Sequence, residues 1–230
     1  MYNEQPVSKP TFVKNGDLEV HSVFKTIQGE GPFVGVSCVF VRLAGCNLQC
    51  PLCDTDYTNK DMQLTSVESL HFQVEELLGP TDLVVITGGE PFRQNLTPFV
   101  LELLEAGIQV QIETNGTLYL DQFPYDDITI VCSPKTGSIN SNLKKHITAY
   151  KYVLHADHVD PFDGLPDVVL GNLTKAKVAR PHDTFCGTVY VQPVDTNSEM
   201  NKIHLECAKK SCLTYGYTLG VQLHKIIGVA

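Results

Sequence analysis

Apolar residues in this chain fall into short continuous runs, separated by stretches with helical periodicity. Val20, Val23, Phe24 and Ile27 mix with polar residues over 18–28, which predicts an extended segment that Glu30-Gly31-Pro32 breaks. Residues 38–43 (Cys-Val-Phe-Val-Arg-Leu) are β-branched and aromatic, as in a buried strand. Runs at 82–87, 108–113, 128–132, 150–154, 186–192 and 217–224 predict further strands. Val67, Leu70, Val74, Leu77 and Leu78 give one face of a helix; Thr65-Ser66-Val67-Glu68 fits a capping box in which Thr65 opens it, and Gly79-Pro80 close it. Residues 96–106, ended by Gly107, and 198–214 predict two more helices.

Continuous apolar strands alternating with helices predict an α/β protein whose parallel sheet is covered by helices. The second half is strand-rich with one long helical pattern. A full eightfold barrel needs more helices and usually about 250 residues, so an incomplete βα barrel fits better. One domain spanning 1–230 is expected, with residues 1–17 a loose polar lead-in. Functional side chains should then sit at the C-terminal ends of the strands.

Composition narrows the function classes. A net charge of -9 and the lack of a dense basic run argue against a nucleic-acid partner; Lys144-Lys145-His146 and Lys209-Lys210 read as solvated surface. No stretch approaches the ~20 apolar residues of a membrane span, and no signal peptide is visible at the start, so a cytoplasmic location is expected. In a reducing compartment, grouped cysteines point to metal or redox chemistry rather than disulfides.

Three of the eight cysteines are grouped, in Gly45-Cys46-Asn47-Leu48-Gln49-Cys50-Pro51-Leu52-Cys53-Asp54, directly after the 38–43 run. Three thiolates on one loop can hold three irons of a cubane and leave the fourth open for chemistry. A zinc site, with a fourth ligand such as Cys132 or a histidine, and chance clustering of buried thiols are the alternatives. Polar motifs also end other strands: Thr87-Gly88-Gly89-Glu90-Pro91, Glu113-Thr114-Asn115-Gly116, Ser133-Pro134-Lys135 and Gln192-Pro193. Each alone fits a plain turn; together, at successive strand ends, they suggest one site. Gln28-Gly29-Glu30-Gly31 reads equally as a hairpin turn or as a close approach to substrate. His155, Asp157, His158, Asp160 and Asp163 lack a ligand spacing and read as a solvated acidic loop. Cys38, Cys132, Cys186, Cys207 and Cys212 read as buried thiols.

Cys46-x3-Cys50-x2-Cys53 combined with Gly88-Gly89-Glu90-Pro91 resembles the radical S-adenosylmethionine superfamily. Over residues 22–230 the chain is most similar to its 7-deazaguanine-forming branch, through 26–31, 40–48, 53–55, the strand-end motifs and the tail Gln222-Leu223-His224-Lys225. The resemblance implies a partial (β6/α3) barrel with a variable strand and loop region near 140–185, in which no site is assigned over 140–180. It implies a lyase that converts 6-carboxy-5,6,7,8-tetrahydropterin to 7-carboxy-7-deazaguanine and ammonia, with a [4Fe-4S] cluster, S-adenosylmethionine and Mg²⁺. Cys46, Cys50 and Cys53 would hold the cluster. Leu52, Cys53, Asp54, Gly89, Glu90, Ser133, Pro134, Lys135 and Gln192 would bind S-adenosylmethionine. Ile27, Gln28, Gly29, Glu30, Arg42, Thr87, Glu113, His224 and the carboxylate of Ala230 would bind the pterin, and Thr55 the Mg²⁺. Leu52 departs from the aromatic common in relatives, so its contact with adenine would be apolar. An electron donor such as flavodoxin and a homodimer are the implied partners. A glycyl-radical activase and a zinc-binding module without activity are the competing readings.

Overall fold

The structure is a computed structural model that describes residues 3–13, 16–58, 60, 62–168 and 177–229. The strands are β1 (Leu18–Ile27), β2 (Ser37–Leu43), β3 (Gln63–Thr65), β4 (Leu83–Gly88), β5 (Gln109–Thr114), β6 (Thr129–Cys132), β7 (Ala149–Leu154), β8 (Thr188–Pro193) and β9 (Thr218–Leu219). The helices are α1 (Val67–Leu78), α2 (Thr97–Glu105), α3 (Ser198–Tyr215) and the single turn α4 (Leu223–Ile227). All nine strands form one sheet in the order β3-β1-β2-β4-β5-β6-β7-β8-β9. From β2 to β9 every pairing is parallel, while β1 runs antiparallel to both β2 and β3. The order has two ends, so the barrel is open. Six parallel strands, β2 and β4 to β8, and three long helices form the partial barrel expected from the sequence, and the two-residue β9 adds a seventh parallel strand at its edge.

Side chains alternate across each strand, and the alternation builds two different faces. Val39, Val41, Val84, Ile86, Val110, Ile112 and Tyr150 point to the helices and join Leu70, Val74, Phe99 and Leu103 in the main core. On the opposite face, Cys38, Leu83 and Val85 pack with Phe33 and Phe40 as a small apolar plug near the N-terminal ends. Further along that face come Arg42, Thr87, Glu113, Lys151 and Gln192, all lining one cavity. The continuous apolar runs of the sequence thus contain one face that turns mostly polar toward the strands' C-terminal ends.

Four details differ from the sequence expectations. Thr65 belongs to β3, and Ser66 is the true cap of α1, its hydroxyl accepting from Ser69 N at 3.2 Å. The last strand covers two residues only; Gly220 N still reaches Val191 O, and the chain then turns into α4, which Gly228 ends in the left-handed region. Cys186 lies before β8 and is exposed. Residues 3–11, expected to be loose, run along the cysteine loop, with Val7 bridged to Cys46 and Thr11 to Gln94.

Replacing Ser66 by alanine should cost about 1 kcal/mol, a fall of roughly 2–4 °C in Tm, because one N-terminal amide of α1 loses its partner. Thermal unfolding of Ser66→Ala beside Thr65→Val checks which residue caps: only the first should lose the capping bond.

Candidate active site

A cavity of about 260 Å³ opens at the C-terminal ends of the parallel strands. Cys46, Cys50 and Cys53 all line it, on the loop that leaves β2. Burial pushes the Cys46 thiol up to about 12 and raises Cys50 and Cys53 as well. Lys135, half-buried in the same wall, is the cation that acts on the Cys50 and Cys53 thiols. Among the described residues the wall carries no fourth thiol: Cys132 is fully buried beneath Gly116. No three His, Cys, Asp or Glu side chains among the described residues converge as a single metal ion requires. Three thiols on one wall, Cys46 buried and Cys50 and Cys53 half-buried, each able to take its own iron, fit the donor set of an iron–sulfur cluster rather than zinc.

The two glycines after β4 serve this loop. A Cβ on Gly88, at φ +129, would lie 2.1 Å from Leu43 O, and one on Gly89 would lie 2.0 Å from Gly45 O. The strand end therefore packs backbone to backbone against the start of the cysteine loop, with Gly89 N donating to Leu43 O and Glu90 N to Gly45 O. Gly89 lines the cavity, whereas the Glu90 side chain is fully buried behind it. Its carboxylate accepts from Thr114 Oγ1 (2.7 Å), Asn115 N (2.7 Å) and Phe92 N (3.1 Å), locking the ends of β4 and β5 together. Burial pushes its pKa up to about 7, against these three bonds. Asn115 in turn donates to Asn47 on the cysteine loop.

The opposite wall is built on a buried ion triad. Lys151 Nζ, on β7, pairs with Glu30 from the loop after β1 and with Glu113 on β5 (2.8 Å). Gln192 and Gln222 also donate to Glu30, while Gln28 and Gln111 donate to Glu113. Each carboxylate thus receives three donors and keeps about one of its roughly four acceptor positions open. Burial opposes the charge on Glu30, yet attraction to Lys151 and the bonds from Lys151 and Gln222 hold its pKa below the ordinary range. The triad carries a net negative charge. Arg42 lines the same cavity over the Phe24 ring, 5.3 Å from its centroid, and its Nε is buried without a partner. Thr87 pairs with Arg42 across β2 and β4.

The remaining sequence candidates divide as follows. Ile27, Gly29, Leu52, Asp54, Thr55, Ser133, Lys135 and His224 line the cavity; Gln28 and Pro134 are buried just behind it. Gly29 has to be small, because a Cβ would lie 2.0 Å from His224 Nδ1; Leu223 N bonds Gly29 O there. Ala230 falls outside the described residues. Asp54 is clamped by Lys225 (3.1 Å), which also pairs with Asp195 (2.8 Å), tying the tail to the cysteine loop. His155, Asp157, His158, Asp160 and Asp163 do not line the cavity. Asp160 is not solvated as expected: it is nearly buried and paired with Lys177 and Arg180.

Sequence reasoning missed Lys151, which lies in the segment to which no site was assigned. Its signal was a lysine inside the apolar run Ala149-Tyr150-Lys151-Tyr152-Val153, at an inward position. Gln222 and Lys225 stood in the tail motif without an assigned role, and Asp195 was missed as well.

This open barrel, with three thiols and a Gly-Gly-Glu turn at its strand ends, defines a radical S-adenosylmethionine protein, and the radical SAM superfamily model matches residues 41–203. The chain is 40% identical over 237 aligned positions to the 7-carboxy-7-deazaguanine synthase of Rhodospirillum rubrum, covering all of both proteins. It is 38% identical over 224 positions to that of Rickettsia prowazekii, covering 92% of this chain and 88% of the relative. The crystal structure of QueE from Escherichia coli superposes with a TM-score of 0.66 at 25% identity, covering 90% of this chain and 95% of that one. The chain belongs to the 7-carboxy-7-deazaguanine synthase family, and that membership implies a [4Fe-4S] cluster and S-adenosylmethionine.

Lys151→Met should lower stability at pH 7 by about 3 kcal/mol, since it leaves two largely buried carboxylates without a counter-charge. In the native chain the depressed pKa of Glu30 gives stability that is present above the ordinary value of 4.5 and is lost as pH falls through the folded value. In the variant burial, the largest influence on Glu30, is opposed mainly by the bond from Gln222, so its folded pKa should rise above 4.5 and stability should fall as pH climbs past that point. Urea unfolding from pH 4 to 8 measures the change of sign.

Proposed function

We propose that this chain is the radical lyase that contracts 6-carboxy-5,6,7,8-tetrahydropterin to 7-carboxy-7-deazaguanine and ammonia, a step of queuosine-type 7-deazapurine biosynthesis. The observation that carries the reading is the three-thiol wall sharing one cavity with Arg42 and the Glu30-Lys151-Glu113 triad. Cys46, Cys50 and Cys53 would hold the cluster, which when bound supplies the electron that cleaves S-adenosylmethionine to a 5′-deoxyadenosyl radical.

The other residues bind and orient. Leu52 and the backbone at Cys53 and Asp54 would take the adenine, with only apolar contact from Leu52. Backbone at Gly89 and Glu90 would take the methionine amino group; the Glu90 carboxylate, occupied by Thr114, Asn115 and Phe92, supports that turn from behind. Ser133, Pro134, Lys135 and Gln192 would flank the nucleoside.

The pterin would lie between two walls of opposite charge. The Arg42 guanidinium suits the 6-carboxylate, because its fork can grip two oxygens at once. The open acceptor positions on Glu30 and Glu113 suit the N–H-rich edge of the ring. Ile27, Gln28, Gly29, Thr87, His224 and the Ala230 carboxylate would complete that surface. Thr55 lines the cavity and would give Mg²⁺ one hydroxyl ligand, the rest coming from substrate and water.

The reaction needs an electron donor such as a flavodoxin. No described helix is long and apolar enough to cross a membrane, and we expect a cytoplasmic enzyme. A homodimer is expected from the family, and the exposed Leu213 and Ile226 offer apolar surface for one.

Anaerobically reconstituted protein should carry about four irons per chain. With S-adenosylmethionine, Mg²⁺ and the carboxytetrahydropterin it should release ring-contracted product, and Cys50→Ala should release none. A native chain loaded with iron that leaves the pterin unchanged would overturn the proposal.

A further inference from the structure

We infer that residues 3–8 are a built-in strap of the cysteine loop, and that Asn3 and Gln5 are positioning residues for it. The inference rests on the reading that this loop holds a cluster. Residues 45–57 form no regular helix or strand, so most of their backbone carbonyls have no partner within an element. The strap supplies donors to them in order. Ser8 N donates to Cys46 O (2.7 Å), Asn3 Nδ2 to Cys50 O (3.1 Å), Asn3 N to Pro51 O (2.8 Å) and Gln5 Nε2 to Thr55 O (2.8 Å). Gln5 works in both directions: its Oε1 accepts from Tyr57 N at 2.6 Å, so one amide bridges Thr55 and Tyr57, two and four positions after the third cysteine. Gln49 Nε2 donates back to Gln5 O.

The strap has little other reason to be ordered. Val7, its apolar residue, is 58% exposed, and Pro6 and Pro10 keep it extended rather than folded on itself. Its hydrogen bonds to the loop are what hold it, and the same bonds hold the loop. Beyond the strap, the chain is pinned by Arg93, 2% exposed, which donates to Lys9 O and Thr11 Oγ1 and, on its other side, to Ala44 O just before the first cysteine. Beneath the loop, Tyr57 completes the support: its hydroxyl donates to Leu48 O and accepts from Asn3 Nδ2, and its carbonyl accepts from Gly45 N. The loop is therefore held from the sheet side by Asn115 and Tyr57 and from the outside by Asn3 and Gln5.

Two measurements on the full-length chain test this. The first needs neither cluster nor substrate. Hydrogen exchange of Asn3→Ala/Gln5→Ala should be about fivefold or more faster over residues 45–57, with β4 to β8 unchanged; each lost bond is of the usual net strength. The second is the rate at which the reconstituted protein gives up iron to a chelator, which should rise by a similar factor. Gln5→Glu keeps the acceptor for Tyr57 N but loses the donor to Thr55 O, and should fall between native and Gln5→Ala in both. Unchanged exchange over 45–57 in the double variant would overturn the inference. So would faster exchange through every strand, which marks a merely structural segment. Should the native chain take up no iron, the cluster reading fails, and the exchange data still decide whether the strap positions the loop.

Discussion

The interior of this protein depends on one ammonium group. Lys151 projects from β7 into the open side of the barrel and meets two carboxylates that come from elements far apart in the sequence, Glu30 and Glu113. Burying any of the three charges alone would be costly, and together they are tolerated only because each remaining polar position is nearly filled. Four glutamines do the filling, from β5, from β8, and from the segments that follow β1 and precede α4. The triad thereby joins the entrance loop, the middle of the sheet and the tail across the cavity. It also leaves a negative excess facing Arg42, which gives the cavity two ends of different chemistry.

The cysteine loop is the second constraint, and it is met mostly by backbone. Parallel strands deliver their C-terminal ends to one edge, so β2, β4 and β5 can contribute to one wall. In the sequence Gly88 and Gly89 stand as part of a strand-end turn that suggests a site. Their first use is room for Leu43 and Gly45, against which any Cβ would collide. Glu90 then spends its carboxylate on the amides and hydroxyl that fix the neighbouring strand end. The motif shapes the wall first, and a ligand meets the wall already shaped.

What was legible in the sequence is what is local. The thiol spacing lies within eight residues, and the Gly-Gly-Glu turn and Ser133-Lys135 are strand-end signals readable without knowing the fold. The parallel sheet and the open barrel followed from the alternation of apolar runs and helices. The misses are tertiary or off by one residue. Lys151 makes sense only once Glu30 and Glu113 are beside it, pairings that span 121 and 38 positions. The order of residues 3–8 comes from hydrogen bonds to a loop about 45 residues away, and that of Lys9 and Thr11 from Arg93, with no apolar pattern to announce either. Thr65 and Ser66 both carry a capping hydroxyl, and only the register of β3 on β1 decides between them.

The central claim is that one cavity generates a radical at the thiol wall and directs it to the pterin ring. Anaerobic turnover of carboxytetrahydropterin labelled with deuterium at C6 tests it most directly. Ammonia and ring-contracted product should appear in equal amounts, and deuterium should pass into recovered S-adenosylmethionine. Release of 5′-deoxyadenosine without ammonia, and with the label still on intact pterin, would contradict it.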